Sequence, residues 1–289
     1  MTRNVTVAAT QFACSWDWAV NMDSAERVVR QAAQQGANII LLQELFEAPY
    51  FCAEQSPKYL ELAKPVAGHP AVGRMASVAR ELGVVIPISI FERAGHTLFN
   101  SVVIADADGR TLGVYRKSHI PDGPGYSEKY YFTPGDTGFK AWDTAFGRIG
   151  VGICWDQWFP ECARAMAIAG AEILFYPTAI GSEPANAGLD SKDHWQTVMR
   201  GHAGANLMPV VASNRIGTEA IGSPPITFYG CSFIASHQGA LKAEADRGSE
   251  CAITATFDLD HLRAERLAWG LWRDRRPELY GPLLTHSGG

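Results

Sequence analysis

Residues 5–42 read VTVAATQFACSWDWAVNMDSAERVVRQAAQQGANIILL. Residues 5–11 are β-like. Met22, Ala25, Val28, Val29, Ala32 and Ala33 then recur at the three-and-four spacing of one helical face, and residues 39–42 form a short, wholly apolar run. Strand, helix and buried strand in that order make a β–α–β unit, the signature of a layered α/β fold.

The same alternation continues outward. Residues 71–82 place Met75, Val78, Ala79 and Leu82 on one helical face, Gly83 stops the helix, and a strand follows over 84–91. Residues 101–105 and 111–115 are β-rich and flank Asp106-Ala107-Asp108-Gly109, which predicts a hairpin. Residues 118–137 are rich in Pro, Gly and Tyr and have no period, and so long a loop in a compact fold is usually functional. Beyond it the pattern predicts strands at 149–153, 173–176, 210–214, 231–235 and 252–258, with helices at 160–170 and 192–206. No internal repeat, low-complexity tract or linker interrupts residues 1–289, so one domain with mixed sheets is expected.

Composition narrows the function. The chain has 289 residues and a formal net charge of −5, which disfavours nucleic acid as a ligand because such binding rests on Lys and Arg neutralising phosphates. Charged residues make up only 19% and hydrophobic residues 47%, so a face covered by another copy of the chain is expected. No run approaches the roughly 20 apolar residues of a membrane span, and residues 1–4 lead into strand-like sequence without an apolar signal region. A cytoplasmic protein with no membrane partner is the expectation. Six cysteines (14, 52, 154, 162, 231 and 251) form no C-x-x-C pair, which predicts reduced core residues and no metal site. Cys154 is the exception.

Three reactive side chains follow predicted strands: Glu44 after 39–42, Lys117 after 111–116 and Cys154 after 149–153. Ligands of layered α/β folds bind beyond the carboxyl ends of strands, so three strands ending side by side would bring these groups together. A cysteine is only a few per cent thiolate at neutral pH and needs an activating neighbour. Glu44 suits the base that takes its proton, returns it to a departing amine and later activates water, while Lys117 suits an oxyanion. The backbone N–H of Trp155 is a natural second oxyanion donor. Other motif classes fail: 125–129 lacks the last glycine of a nucleophile elbow, and no dinucleotide or phosphate loop is complete.

Leu42-Gln43-Glu44-Leu45-Phe46, Tyr115-Arg116-Lys117-Ser118-His119 and Gly152-Ile153-Cys154-Trp155-Asp156 resemble, in order, the three catalytic blocks of the nitrilase (carbon–nitrogen hydrolase) superfamily. The resemblance spans about residues 5–280. It implies an αββα sandwich of two mixed β-sheets flanked by helices, a Glu–Lys–Cys hydrolytic site with neither metal nor cofactor, and dimers that build larger assemblies, octamers among them. It also points to Glu128 as a second acid that orients the lysine. Gln43 stands where the superfamily usually has Pro.

Residues 118–126, 176–184 and 202–206 resemble members that hydrolyse a terminal ureido group to an amine, carbon dioxide and ammonia. Relatives acting on N-carbamoyl amino acids carry arginine just after the cysteine, to pair with a carboxylate; here Asp156, Gln157 and Trp158 stand there. With Glu183 and Asp190 they suggest an acidic, aromatic wall suited to a ureido substrate bearing an alkylammonium. Expected substrate contacts are Tyr50, Tyr126, Trp155, Asp156, Thr178 and Glu183, although an aspartate at that place also suits an N-cap. His119 suits a structural hydrogen bond. Residues 263–276, with Trp269 and Trp272, suit a subunit contact. The alternatives are an aliphatic or ω-amidase, a nitrilase, a β-ureidopropionase-like enzyme, or an assembly protein that keeps the fold without turnover.

Overall fold

The computed structural model describes residues 3–288. In chain order its strands are β1 (Asn4–Gln11), β2 (Ile39–Leu41), β3 (Ile86–Ala94), β4 (Thr97–Ala105), β5 (Thr111–Arg116), β6 (Ala141–Thr144), β7 (Gly147–Val151), β8 (Ile173–Pro177), β9 (Val210–Ser213), β10 (Thr218–Glu219), β11 (Ile226–Thr227), β12 (Phe233–Ala235), β13 (Leu241–Glu244) and β14 (Cys251–Asp258). Among the described residues five α-helices accompany them: α1 (Trp18–Gln34), α2 (Pro70–Leu82), α3 (Pro160–Ile168), α4 (Lys192–Asn206) and α5 (Leu259–Trp269).

Two mixed sheets form the centre. In one, β14–β1–β2 continues into β3–β4–β5 through a parallel bridge between Ile39 and Val85; the other runs β13–β12–β9–β8–β7–β6. Their inner faces meet over Val7, Ala9, Leu41, Ile104, Val151, Phe175 and Val211, all without solvent exposure. The outer faces are covered by helices, α1 and α2 on the first sheet and α3 and α4 on the second. The result is the expected αββα sandwich.

Local chemistry explains the elements. Asp17 caps α1 by accepting from the N–H groups of Ala19 and Val20 at 2.9 and 3.3 Å. The predicted face of Met22, Ala25, Val28, Val29 and Ala32 is fully buried; Ala33 lies at its margin. Pro70 opens α2 and Gly83 closes it in the left-handed conformation. The hairpin around 106–109 is present between β4 and β5. The strands expected over 84–91 and 101–105 are β3 and β4, which run on to Ala94 and from Thr97 and pair as a second hairpin around Gly95; within it Glu92 is buried, paired with Arg116 and Ser101. Cys231, at φ 51°, kinks the chain, so β12 begins only at Phe233. Among the described residues no helix is long and apolar enough to cross a membrane.

Candidate active site

Glu44, Lys117 and Cys154 each follow a strand end, but those strands are not neighbours. β2 and β5 lie in one sheet with β3 and β4 between them, and β7 lies in the other. The groups therefore converge across the two sheets rather than along one edge, which corrects the side-by-side expectation.

Each is held by its own backbone device. Beyond β2 the chain turns at Leu45, φ 48°, whose N–H donates to Ser89 Oγ at 2.9 Å. Lys117 donates its backbone N–H to Asn100 O and accepts that of Gly135, both at 2.8 Å. The long loop returns there so closely that a Cβ on Gly135 would lie 2.1 Å from Arg116 O, so only glycine fits. Cys154 opens a tight 3₁₀ turn, Cys154–Trp158, at φ 42°, a left-handed conformation costly for a residue with a side chain.

The charged groups form one buried cluster. Lys117 Nζ donates to Glu44 Oε1 at 2.9 Å and to Glu128 Oε2 at 2.5 Å, with all three side chains at zero exposure. Asn100 Nδ2 also donates to Glu44 Oε1, at 2.7 Å. Among the described residues Glu44 Oε2 has no hydrogen-bond partner. Tyr50 Oη donates to Glu128 Oε1 at 2.6 Å.

Burial and this clustering set the proton affinities. Burial works to lower the pKa of Lys117, but Glu128, Glu44 and Cys154 outweigh it and hold the ammonium well above its ordinary value. Burial first, then repulsion from Glu44, raises the Glu128 carboxyl despite the opposing Lys117. Burial and the Glu44 charge push the Cys154 thiol well up, with Lys117 opposing. The sulfur is thus close enough to both charges for each to move its titration.

Cys154 and Glu128 line a cavity of about 420 Å³ with Tyr126, Trp155, Glu183 and Asp122. Trp155 is 40% exposed and Asp122 lies at the surface, whereas Cys154 is 6% exposed, so the sulfur sits at the deep end. Among the described residues lining the cavity there is no Lys or Arg.

Several expected contacts lie elsewhere. Asp156 does not reach the cavity: it is fully buried and accepts from Tyr115 Oη, the backbone N–H groups of His119 and Ile153, and the His119 ring, at 2.7–3.0 Å. Its carboxylate turns back under the 3₁₀ turn, a direction that adjacency to the cysteine does not reveal. Tyr50 is buried behind Tyr126, spent on Glu128. Thr178 is buried too; its Oγ1 donates to Gln157 and its carbonyl accepts the Glu44 N–H. Asp190 pairs with Arg247 at 2.6 Å. Tyr126, Trp155 and Glu183 do line the cavity, and Glu183 is half-buried, its pKa raised by burial against a Ser191 hydroxyl. His119 is structural, stacked on Phe159 at 3.6 Å. Gln43 fills its unusual place by pairing both amide atoms with the Phe12 backbone. Among the described residues no cluster has the makings of a metal site.

Two residues of the cluster escaped the sequence reading. Asn100 interrupts an apolar strand, and Arg215, which donates to the Glu44 carbonyl at 2.8 Å, follows the apolar strand β9; a buried polar residue in a strand, or a charge just beyond one, is the available signal.

Residues 6–266 match the carbon–nitrogen hydrolase family. The chain is 62% identical over 290 residues to N-carbamoylputrescine amidase of Solanum lycopersicum, covering 99% of this chain and 97% of that one. It is 53% identical over 281 residues to a citrullinase of Francisella tularensis, covering 97% and 98%. The crystal structure of a carbon–nitrogen hydrolase from Helicobacter pylori superposes with a TM-score of 0.92 at 37% identity, covering 98% of this chain and 99% of that one. Fold, buried Glu–Lys cluster and sequence agree: the chain belongs to the carbon–nitrogen hydrolase family of the nitrilase superfamily and is a hydrolase of carbon–nitrogen bonds.

Proposed function

We propose that the chain hydrolyses N-carbamoylputrescine to putrescine, carbon dioxide and ammonia, with Cys154 as nucleophile, Glu44 as base and acid, Lys117 as oxyanion donor and Glu128 as the acid that orients Lys117. The observation that carries the choice of substrate is the charge of the cavity. Beyond the sulfur its wall holds three acids, Glu128, Glu183 and Asp122, against one imidazole, His194, with no Lys or Arg among the described lining, which suits a ureide ending in an ammonium rather than a carboxylate. The relative named N-carbamoylputrescine amidase supports the same reading.

The geometry supports the following chemistry. The raised thiol pKa keeps Cys154 protonated at rest, so attack is coupled to proton transfer onto the free Glu44 Oε2. Sulfur bonds to the ureido carbon and the carbonyl electron pair moves to oxygen. Lys117 has three N–H bonds and spends two on the carboxylates, which leaves one for that oxygen beside the Trp155 N–H. The carbon–nitrogen bond to the terminal NH₂ breaks, Glu44 protonates it, and ammonia leaves an N-alkyl thiocarbamate on Cys154. Glu44 then takes a proton from water as the water oxygen bonds to the thiocarbamate carbon, the carbon–sulfur bond breaks with the proton returned to sulfur, and the carbamic acid released decomposes to amine and carbon dioxide.

A substrate panel of N-carbamoylputrescine, citrulline and 3-ureidopropionate tests this. Highest kcat/KM is expected for the first; a preference for either carboxylate-bearing ureide overturns the substrate assignment, and full turnover by Cys154→Ala overturns the mechanism. Self-association belongs to the same reading: Leu267, Trp269, Leu283 and Leu284 are exposed on the C-terminal segment. Light scattering is expected to show an oligomer, and a monomer would contradict this.

A further inference from the structure

We propose that the buried ion pair Arg215–Glu219 is a positioning unit that sets both carboxylates of the active site at once. The proposal rests on the assignment of Glu44 as the base.

The connection is a closed circuit of hydrogen bonds. Arg215 Nη2 donates to the carbonyls of Glu44 and Leu45 at 2.8 and 3.1 Å, and Nη1 to that of Ala48 at 3.3 Å. Nη1 also donates to Glu219 Oε1 at 2.8 Å. Glu219 Oε2 accepts the Tyr50 N–H at 2.5 Å, and Tyr50 Oη holds Glu128. Glu128 holds Lys117, and Lys117 returns to Glu44. Arg215, Lys117, Glu44 and Glu128 have no exposure, Tyr50 1% and Glu219 8%.

Physical constraints make the unit hard to replace. Around the left-handed kink at Leu45 the carbonyls of Glu44, Leu45 and Ala48 all face Arg215; the Leu45 carbonyl also accepts the Ala48 N–H at 3.5 Å, and a buried carbonyl left unpaired costs its desolvation. A planar guanidinium satisfies all three and still reaches Glu219; a lysine ammonium carries its three donors on one nitrogen and cannot span the same four acceptors. Glu219 uses one oxygen for Arg215 and the other for Tyr50, so glutamine, with one acceptor oxygen, must surrender one link. Neither residue lines the cavity, so each acts through Glu44 and Tyr50 rather than on substrate.

The test uses full-length Arg215→Lys, Arg215→Met and Glu219→Gln, the last conserving volume, with Glu44→Gln in parallel and all rates normalised to folded protein by circular dichroism. Two readouts are taken: kcat and KM for N-carbamoylputrescine, and the rate of Cys154 alkylation by iodoacetamide at neutral pH. Misplacing a catalytic group by about 1 Å costs up to roughly 100-fold, so kcat is expected to fall about 10- to 100-fold with KM within about threefold. Alkylation should slow by a similar factor, and Arg215→Lys should retain more turnover than Arg215→Met. Folded Arg215→Lys and Glu219→Gln with both rates within about twofold of wild type, or losses that track only the folded fraction, overturn the proposal. Full turnover by Glu44→Gln would instead sink the base assignment on which it rests.

Discussion

Lys117 Nζ lies 2.9 Å from Glu44 Oε1, and Asn100 donates to that same oxygen, while Oε2 of the same carboxylate is buried without a partner among the described residues. The asymmetry divides the labour of one side chain. One oxygen anchors the carboxylate, and the other is left open, as the proposed role of Glu44 in taking a proton during reaction requires.

Replacing Glu44 by Gln keeps an acceptor for Lys117 and Asn100 but puts an amide where the free oxygen stands. Turnover measured by ammonia release is expected to fall about 10²- to 10⁴-fold, the usual range for a general base, with KM nearly unchanged. A kcat within about threefold of wild type would show that another group takes the proton.

The Cys154 thiol titrates above its ordinary value because burial and Glu44 disfavour the thiolate. A raised pKa means the neutral thiol dominates below it. Peptide-resolved alkylation by iodoacetamide should therefore keep accelerating past about pH 8.5, where a free cysteine is half ionised. A plateau below neutrality would instead reveal a resting thiolate–ammonium pair with Lys117.

Glu183 is expected to bind the distal ammonium. Glu183→Gln should raise KM about 10- to 100-fold, the worth of a charge-assisted hydrogen bond, with kcat little changed. Burial raises the pKa of this carboxyl, and only its ionised form attracts an ammonium. KM of the wild type should therefore climb as pH falls through a value above the ordinary glutamate range, and the variant should lose that dependence. An unchanged KM would remove Glu183 from recognition.

Asp156 accepts from four donors, and asparagine would turn NH₂ toward some of them. The cost is about 2–4 kcal/mol, or a fall in Tm of roughly 3–7 °C for a chain of this length, read by calorimetry. KM of the remaining folded enzyme should hold. A raised KM at unchanged Tm would restore Asp156 to the substrate.

Local patterns are legible in the sequence; long-range pairings and side-chain directions are not. The periodicity of 22–33 and the Gly83 stop exposed α1 and α2, because a helix face is a local pattern. Glu44, Lys117 and Cys154 were legible as charged or nucleophilic residues beyond apolar strands. The pairing of β1 with β14 was not, since partners such as Val5 and Phe257 are joined by no local signal. Side-chain direction after a tight turn was equally hidden: Asp156 and Trp155 are adjacent, yet one turns into the protein and the other toward the cavity. Arg215 and Asn100 contact Glu44 from distant parts of the chain, and only folding brings them there.

The φ of 42° at Cys154 has an outcome for which nucleophiles this scaffold can ever accept. Serine has an unbranched Cβ and can occupy that bend at a cost similar to cysteine's. Threonine, chemically just as capable of bearing a reactive oxygen, is branched at Cβ and is excluded there by backbone sterics. Laboratory evolution toward an oxygen-based catalyst on this frame would thus run through Ser alone.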